Sequence, residues 1–195
     1  MSKKIIGLAG TNGSGKDTVG LALQDNHGYL FVSVTDVLRN ELKRQGFPVD
    51  REHLRELSAS WRREFGYGVL IDRAMDVFND QPKGKYNGIA IASLRNPFEV
   101  DRIHELGGVV WWLDADPLLR FTRIKANAAS RARVEEDEKT FEQFLAEEQA
   151  EMHSSGDEAT LNMGAVRDKA DTMMMNAGSD INLLKQEVAA LLIEE

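Results

Sequence analysis

The chain has 195 residues, 42% apolar and 29% charged, enough apolar material for the core of one domain and too mixed for a membrane-embedded or plainly disordered protein. The net charge of −8 argues against a nucleic-acid polymer as partner, which needs a basic face. Cysteine is absent, so neither disulfides nor thiolate metal sites are available. No run of about 18 apolar residues appears and no signal-peptide pattern precedes the first strand-like stretch, so no membrane partner and a cytoplasmic location are expected.

The pattern along the chain alternates. "IIGLAG" (5–10) is a short apolar run and predicts a buried strand. Lys16 to His27 predicts a helix, with Val19, Ala22 and Leu23 on one face and Gly28 as its stop. "YLFVSV" (29–34) predicts the second strand, and Thr35 or Asp36 is expected to cap a helix ending at Gly46. Asp50 opens another helix, with Leu54, Leu57, Trp61 and Phe65 at near-helical spacing, and a further one runs from Val69 to Asn79. "IAIASL" (89–94) and "VVWWLDA" (109–115) predict strands three and four, separated by a short helix from Glu99 to Leu106. Pro117 starts a helix at a position proline tolerates. Thr140 to Met152 is expected to be helical, and 153–170 a loop with one helical turn. "TMMM" (172–175) predicts a fifth strand and Asp180 to Leu192 a closing helix. Trp111, Trp112 and the three methionines are expected in the core, and the acidic stretch 135–151 on a solvated helix face. Strands separated by helices imply an α/β protein with a parallel sheet, whose ligands bind at the carboxyl ends of the strands.

"GTNGSGKDT" (10–18) follows the first strand and opens the first helix. Gly10, Gly13 and Gly15 permit a tight turn, the positive end of a helix faces the same space, and Lys16 adds a full charge for phosphates. Asp17 stands where a Ser or Thr is usual in such a loop. As a hard oxygen donor it suits Mg2+, and as a first-turn acid it suits the helix dipole.

The stretch resembles the phosphate loop of P-loop nucleoside monophosphate kinases and related small-molecule kinases, in which the threonine two places after the lysine contacts phosphate, here Thr18. This resemblance implies a three-layer α/β P-loop kinase fold over residues 1–195, with acceptor-binding helices over about 36–80 and a small lid at about 125–140. It implies ATP and Mg2+ as cofactors, with ATP held by Gly10, Asn12, Gly13, Ser14, Gly15, Lys16, Asp17 and Thr18, and Asp17 beside the metal. "VSVTDVLR" (32–39) is similar to the segment that holds the acceptor nucleotide, implying Ser33, Thr35, Asp36 and Arg39 in the acceptor pocket, with Arg39 clamping phosphate. "SLRNPFEV" (93–100) resembles a D-G-I-R-N-P-x-E-V pattern in an archaeal family of P-loop kinases. Arg95 becomes a second clamp, while the acid and glycine of that pattern are replaced by Ala92 and Ser93. "DADPLLRFTRIKANAASRAR" resembles the lid, implying Arg123, Arg131 and Arg133 over the donor phosphates, with Arg120 and Lys125 read as solvated. "ADTMMMNAGS" resembles the closing segment of these kinases, with Asn176 near the adenine.

The expected activity is ATP-dependent phosphorylation of a nucleoside or deoxynucleoside monophosphate, with Lys16, Arg95, Arg123 and Asp36 as the catalytic set, by a monomer or homodimer acting on small nucleotides. One alternative is dephospho-coenzyme A or another hydroxyl acceptor, for which Asp36 is the candidate base. The other is a nucleotide-binding switch with little transfer activity, which the loss of the acid at Ala92 favours.

Overall fold

In a computed structural model the described residues are 4–126, 139–178 and 180–194. Strand β1 (Lys4–Gly10) is buried from Ile5 onward on both faces. A strand of that kind needs neighbours on both edges and cover on both faces. It pairs in parallel with β3 (Gly88–Leu94) and β4 (Val109–Asp114). The flanking strands β2 (Tyr29–Ser33) and β5 (Thr172–Met175) complete the order β2-β3-β1-β4-β5, parallel throughout.

Helices cover both faces. Helix α1 (Lys16–His27) and the last helix α9 (Ile181–Glu194) lie on one face, where Val19, Leu23, Leu184 and Val188 pack with Ile6, Leu8, Ala90, Ala92 and Trp111. The other face carries α2 (Val34–Gln45), α3 (Arg51–Phe65), α4 (Val69–Asn79), α5 (Pro97–Glu105) and α8 (Met163–Asp168), packed on Ile5, Ile89, Ile91 and Trp112. Between them in sequence lie α6 (Pro117–Ala126) and α7 (Phe141–Met152). Trp111 and Trp112 are both fully buried, one in each layer, because successive strand residues point to opposite faces.

Three local expectations are corrected. Helix α2 begins at Val34, two residues earlier than a Thr35 cap allows and three earlier than an Asp36 cap, and its N-cap Ser33 makes no side-chain cap bond. Val34 and Leu38, four apart, are both buried, so the apolar face sets the start. Helix α5 begins at Pro97, since Asn96 and Glu99 form a reciprocal capping box. Of the methionines, Met174 is buried but Met173 and Met175 are exposed, because β5 is an edge strand whose second face is left open.

β3 has an irregularity that shapes the site. Leu8 pairs with Ala92, but Ala9 pairs with Leu94, so Ser93 is an extra residue in the ladder. Ser93 has φ +71°, the left-handed region where glycine is favoured. Ile89 and Ile91 lie on one face and Ala90 and Ala92 on the other, yet Leu94 rejoins the isoleucines. The bulge inverts the alternation just before Arg95.

Candidate active site

The loop between β1 and α1 lies at the carboxyl end of the central strand. Gly10 (φ +138°) and Gly15 (φ +102°) adopt backbone that side-chain-bearing residues rarely enter. A Cβ on Gly10 would lie 2.0 Å from the Leu113 carbonyl oxygen, and one on Gly15 2.5 Å from Asn176 Nδ2. Helix α1 starts at Gly15 with no side-chain cap, leaving its first N–H groups to a ligand. Ser14 Oγ is buried and has no hydrogen-bond partner among the described residues. An orphaned hydroxyl in a loop of this shape fits a phosphate oxygen.

Lys16 Nζ is turned back onto the loop, donating to the carbonyls of Gly10 (2.9 Å) and Thr11 (2.6 Å). Desolvation pushes its pKa down to about 8, assisted by Arg95 and Arg120 and opposed by Asp17 and Glu151. Phosphate bound against this ammonium raises the pKa again. At pH 8.5 magnesium-free ATP is therefore expected to bind with uptake of a fraction of a proton, and Lys16→Met to bind without it. Calorimetry in two buffers of different ionisation enthalpy measures the difference; equal uptake by both proteins removes Lys16 from the anion site.

The loop is braced from behind. Asn176 Nδ2 donates to the Ser14 carbonyl at 2.9 Å, and Thr11 Oγ1 to Asp114 Oδ1 at 2.7 Å. Arg120, read as solvated from sequence, is 2% exposed. It donates to the carbonyls of Ala115 (2.8 Å) and Asn12 (3.3 Å) and is paired with Glu148 on α7. A turn later on α6, Arg123 donates to the Asn176 carbonyl (3.3 Å) and to that of Gly178. Arg123 and Asn176 thus meet beside the loop, while Lys125 is exposed as expected. Arg131 and Arg133 lie outside the described residues.

A cleft of about 920 Å³ opens from this loop toward α2 and α3. Asn12, Gly13, Gly15, Lys16, Asp17 and Thr18 line it on the loop side, and Thr35, Arg39, Ser93 and Arg95 on the other. Ser33 stands at its edge, its hydroxyl 3.4 Å from that of Ser93. Asp36 is not among the lining residues; its exposed carboxylate accepts from Arg39 at 2.9 Å. Sequence reasoning missed the rest of the cationic wall, Lys43, Arg51, Arg55, Arg62 and Lys139. In all, eight lysines and arginines face three acids, Asp17, Asp50 and Glu151, in a chain of net charge −8. Helical spacing was the available signal, since Arg51, Arg55 and Arg62 stand four and seven apart on α3.

Arg95 is positioned by a buried network. Glu99, fully buried, accepts from the backbone N–H groups of Arg95 (2.8 Å) and Asn96 (3.2 Å) and from Arg62 Nη2 (2.6 Å). Arg62, 2% exposed, also donates to the Ala159 carbonyl at 2.8 Å. Among the described residues no group of three or more His, Asp or Glu side chains is arranged to hold a metal ion. Asp17, exposed at the head of α1, and Thr18 are the oxygen donors beside Lys16, which fits a metal whose other ligands are phosphates and water. No helix of the described residues is long and apolar enough to cross a membrane.

A protein of Pyrobaculum aerophilum named a UPF0200 protein is 26% identical over 192 residues, 97% of each chain. The shikimate kinase of Bacteroides thetaiotaomicron superposes with a TM-score of 0.61 at 16% identity, covering 97% of this chain and 98% of that one. A gluconokinase of Sinorhizobium meliloti superposes at 0.52 and 14% identity, covering 99% and 93%. These likenesses agree with the three-layer architecture and with the resemblance to archaeal P-loop kinases. A family model described as an AAA domain matches residues 6–147, and with the P-loop kinase fold around that stretch the chain belongs to this family.

Proposed function

We propose that the protein is an ATP-dependent small-molecule kinase that transfers the γ-phosphoryl group to a nucleoside or deoxynucleoside monophosphate. The observation carrying this reading is the single cleft in which Lys16 and Thr18 share space with Arg39 and Arg95. Loop, lysine and helix start suit a triphosphate, and the arginines beyond suit a second anion. Asp17 and Thr18 are the protein oxygens that would help hold Mg2+ brought in with ATP, and the ion would supply charge neutralisation for the donor phosphates. Most of the lid expected over about 125–140 lies outside the described residues, and Arg123, on α6 before it, is the lid-side arginine that this reading keeps.

A monophosphate is already an anionic nucleophile, whereas a hydroxyl acceptor benefits from a carboxylate that takes its proton. Asp36 is paired with Arg39 outside the cleft lining, which supports the monophosphate. The hydroxyl-acceptor reading is kept because the shikimate kinase and gluconokinase that share the fold are named for hydroxyl-bearing substrates. A transfer screen with ATP and magnesium against the common monophosphates, dephospho-coenzyme A, shikimate and gluconate tests the proposal. Turnover of a monophosphate is the expected result, and turnover of hydroxyl acceptors alone overturns it.

A further inference from the structure

The acidic stretch 135–151 reads in sequence as a solvated helix face, yet three glutamates of α7 are bonded across the site. Glu148 accepts from the buried Arg120 at 2.7 Å and belongs to the bracing of the loop. Glu147 accepts from Arg51 (2.9 Å) and Lys139 (2.7 Å). Glu151 differs from both. Its two carboxylate oxygens are taken separately, Oε1 by Arg55 Nη2 and Oε2 by Arg95 Nη1, each at 2.9 Å. One arginine comes from α3 and the other from the loop after β3, so the carboxylate is held from two sides. All three residues line the large cleft. The carboxylate is also close enough to Lys16 to be felt in its titration.

Charge-assisted contacts from two guanidinium groups on separate elements are how a protein holds a bound oxyanion. The carboxylate keeps its charge there: burial alone pushes Glu151 up, but Arg95, Arg55 and Arg51 outweigh it and hold it below the usual range. Glu151 side-chain exposure is 18%, while Arg55 and Arg95 remain 52% and 36% exposed. The cations are therefore reachable from the cleft although a side chain of the same protein already occupies them.

We propose that Arg55 and Arg95 form the subsite for the anionic group of the acceptor, a phosphate monoester, and that Glu151 is a resident carboxylate which that group displaces. This rests on reading the cleft as a kinase acceptor site, and it makes Arg55, in place of the Asp36-paired Arg39, the clamp that works with Arg95. A phosphate monoester carries more charge than one carboxylate near neutral pH and offers three oxygens. It outcompetes Glu151 where a singly charged anion does not, so the occupied state acts as a threshold. The apparent affinity is lowered by the fraction of protein in which the subsite is closed.

The test is calorimetric titration of inorganic phosphate at pH 7.5. It is made in the Lys16→Ala background, so that phosphate bound at the donor loop does not contribute. Adding Glu151→Gln keeps the shape of the side chain and removes its charge, and is expected to tighten phosphate binding about ten-fold. Adding Arg55→Met to that variant is expected to abolish the gain. Phosphate bound no more tightly by Glu151→Gln overturns the proposal, as does a gain that survives Arg55→Met. Should Glu151→Gln fail to fold, Glu151→Asp withdraws the charge by one methylene and is read in the same way. The readout is independent of turnover. A negative transfer screen with the phosphate result intact rejects the kinase reading alone, and an active enzyme with unchanged phosphate affinity rejects this subsite alone.

Discussion

Lys16→Ala is expected to lower phosphoryl transfer by at least about a hundred-fold while leaving the protein folded. The ammonium is the one positive side chain in the stretch 10–18. Removing a preorganised donor aimed at developing transition-state charge typically costs about 2.7–4 kcal/mol, or roughly 10²–10³ in rate. The fold has little at stake, because among the described residues Lys16 Nζ bonds to the Gly10 and Thr11 carbonyls alone. Its desolvation is itself unfavourable, as the pKa of about 8 records. Steady-state rates and thermal melts of the two proteins together decide the matter. A variant retaining more than about a tenth of the rate, equivalent to ~1.4 kcal/mol, places the donor elsewhere.

The largest loss of stability is expected from Glu99→Ala, at about 3–5 kcal/mol. Glu99 has no exposed surface, and its removal strands the guanidinium of Arg62, itself 2% exposed. It also releases the N–H groups of Arg95 and Asn96 and breaks the capping box of α5. In a chain of this size each kcal/mol corresponds to about 2–4 °C, so the melting temperature should fall by roughly 6–20 °C. The double variant Glu99→Leu with Arg62→Met is expected to recover much of that, since an apolar pair leaves no buried charge unmatched. Urea unfolding of the three proteins measures both numbers. A single variant within ~1 kcal/mol of wild type would mean that water reaches Arg62 readily and that the network does not hold the Arg95 loop.

The strands could be read from sequence because each is a short apolar run, and the helices because glycine or a capping residue stands at their ends. The phosphate loop was legible for the same reason, its function being written in consecutive residues. The cationic wall was less so. Arg62 meets Glu99 across 37 positions, Arg55 meets Glu151 across 96, and Arg120 reaches the Asn12 carbonyl across 108. No local pattern separates such an arginine from a solvated one. Arg120 was misjudged on that account, as were Glu148 and Glu151, which stand in a stretch rich in glutamates. Asp36 illustrates the reverse. Its neighbourhood matches an acceptor segment, but one turn of helix gives its carboxylate to Arg39.

The extra residue in β3 sets a rule for how this site can change. A strand counts in twos, and Ser93 resets that count between the core and the loop. Substituting Ser93 alters one strained dihedral, and glycine there should relax it. Deleting Ser93 is a change of another order. The ladder then runs without its bulge: leucine follows Ala92 directly and still falls on the side of Ile89 and Ile91, but the left-handed residue ahead of Arg95 is gone. The deletion therefore spares the core and falls on the site, where the backbone at 93 sets how the chain enters the Arg95–Glu99 network.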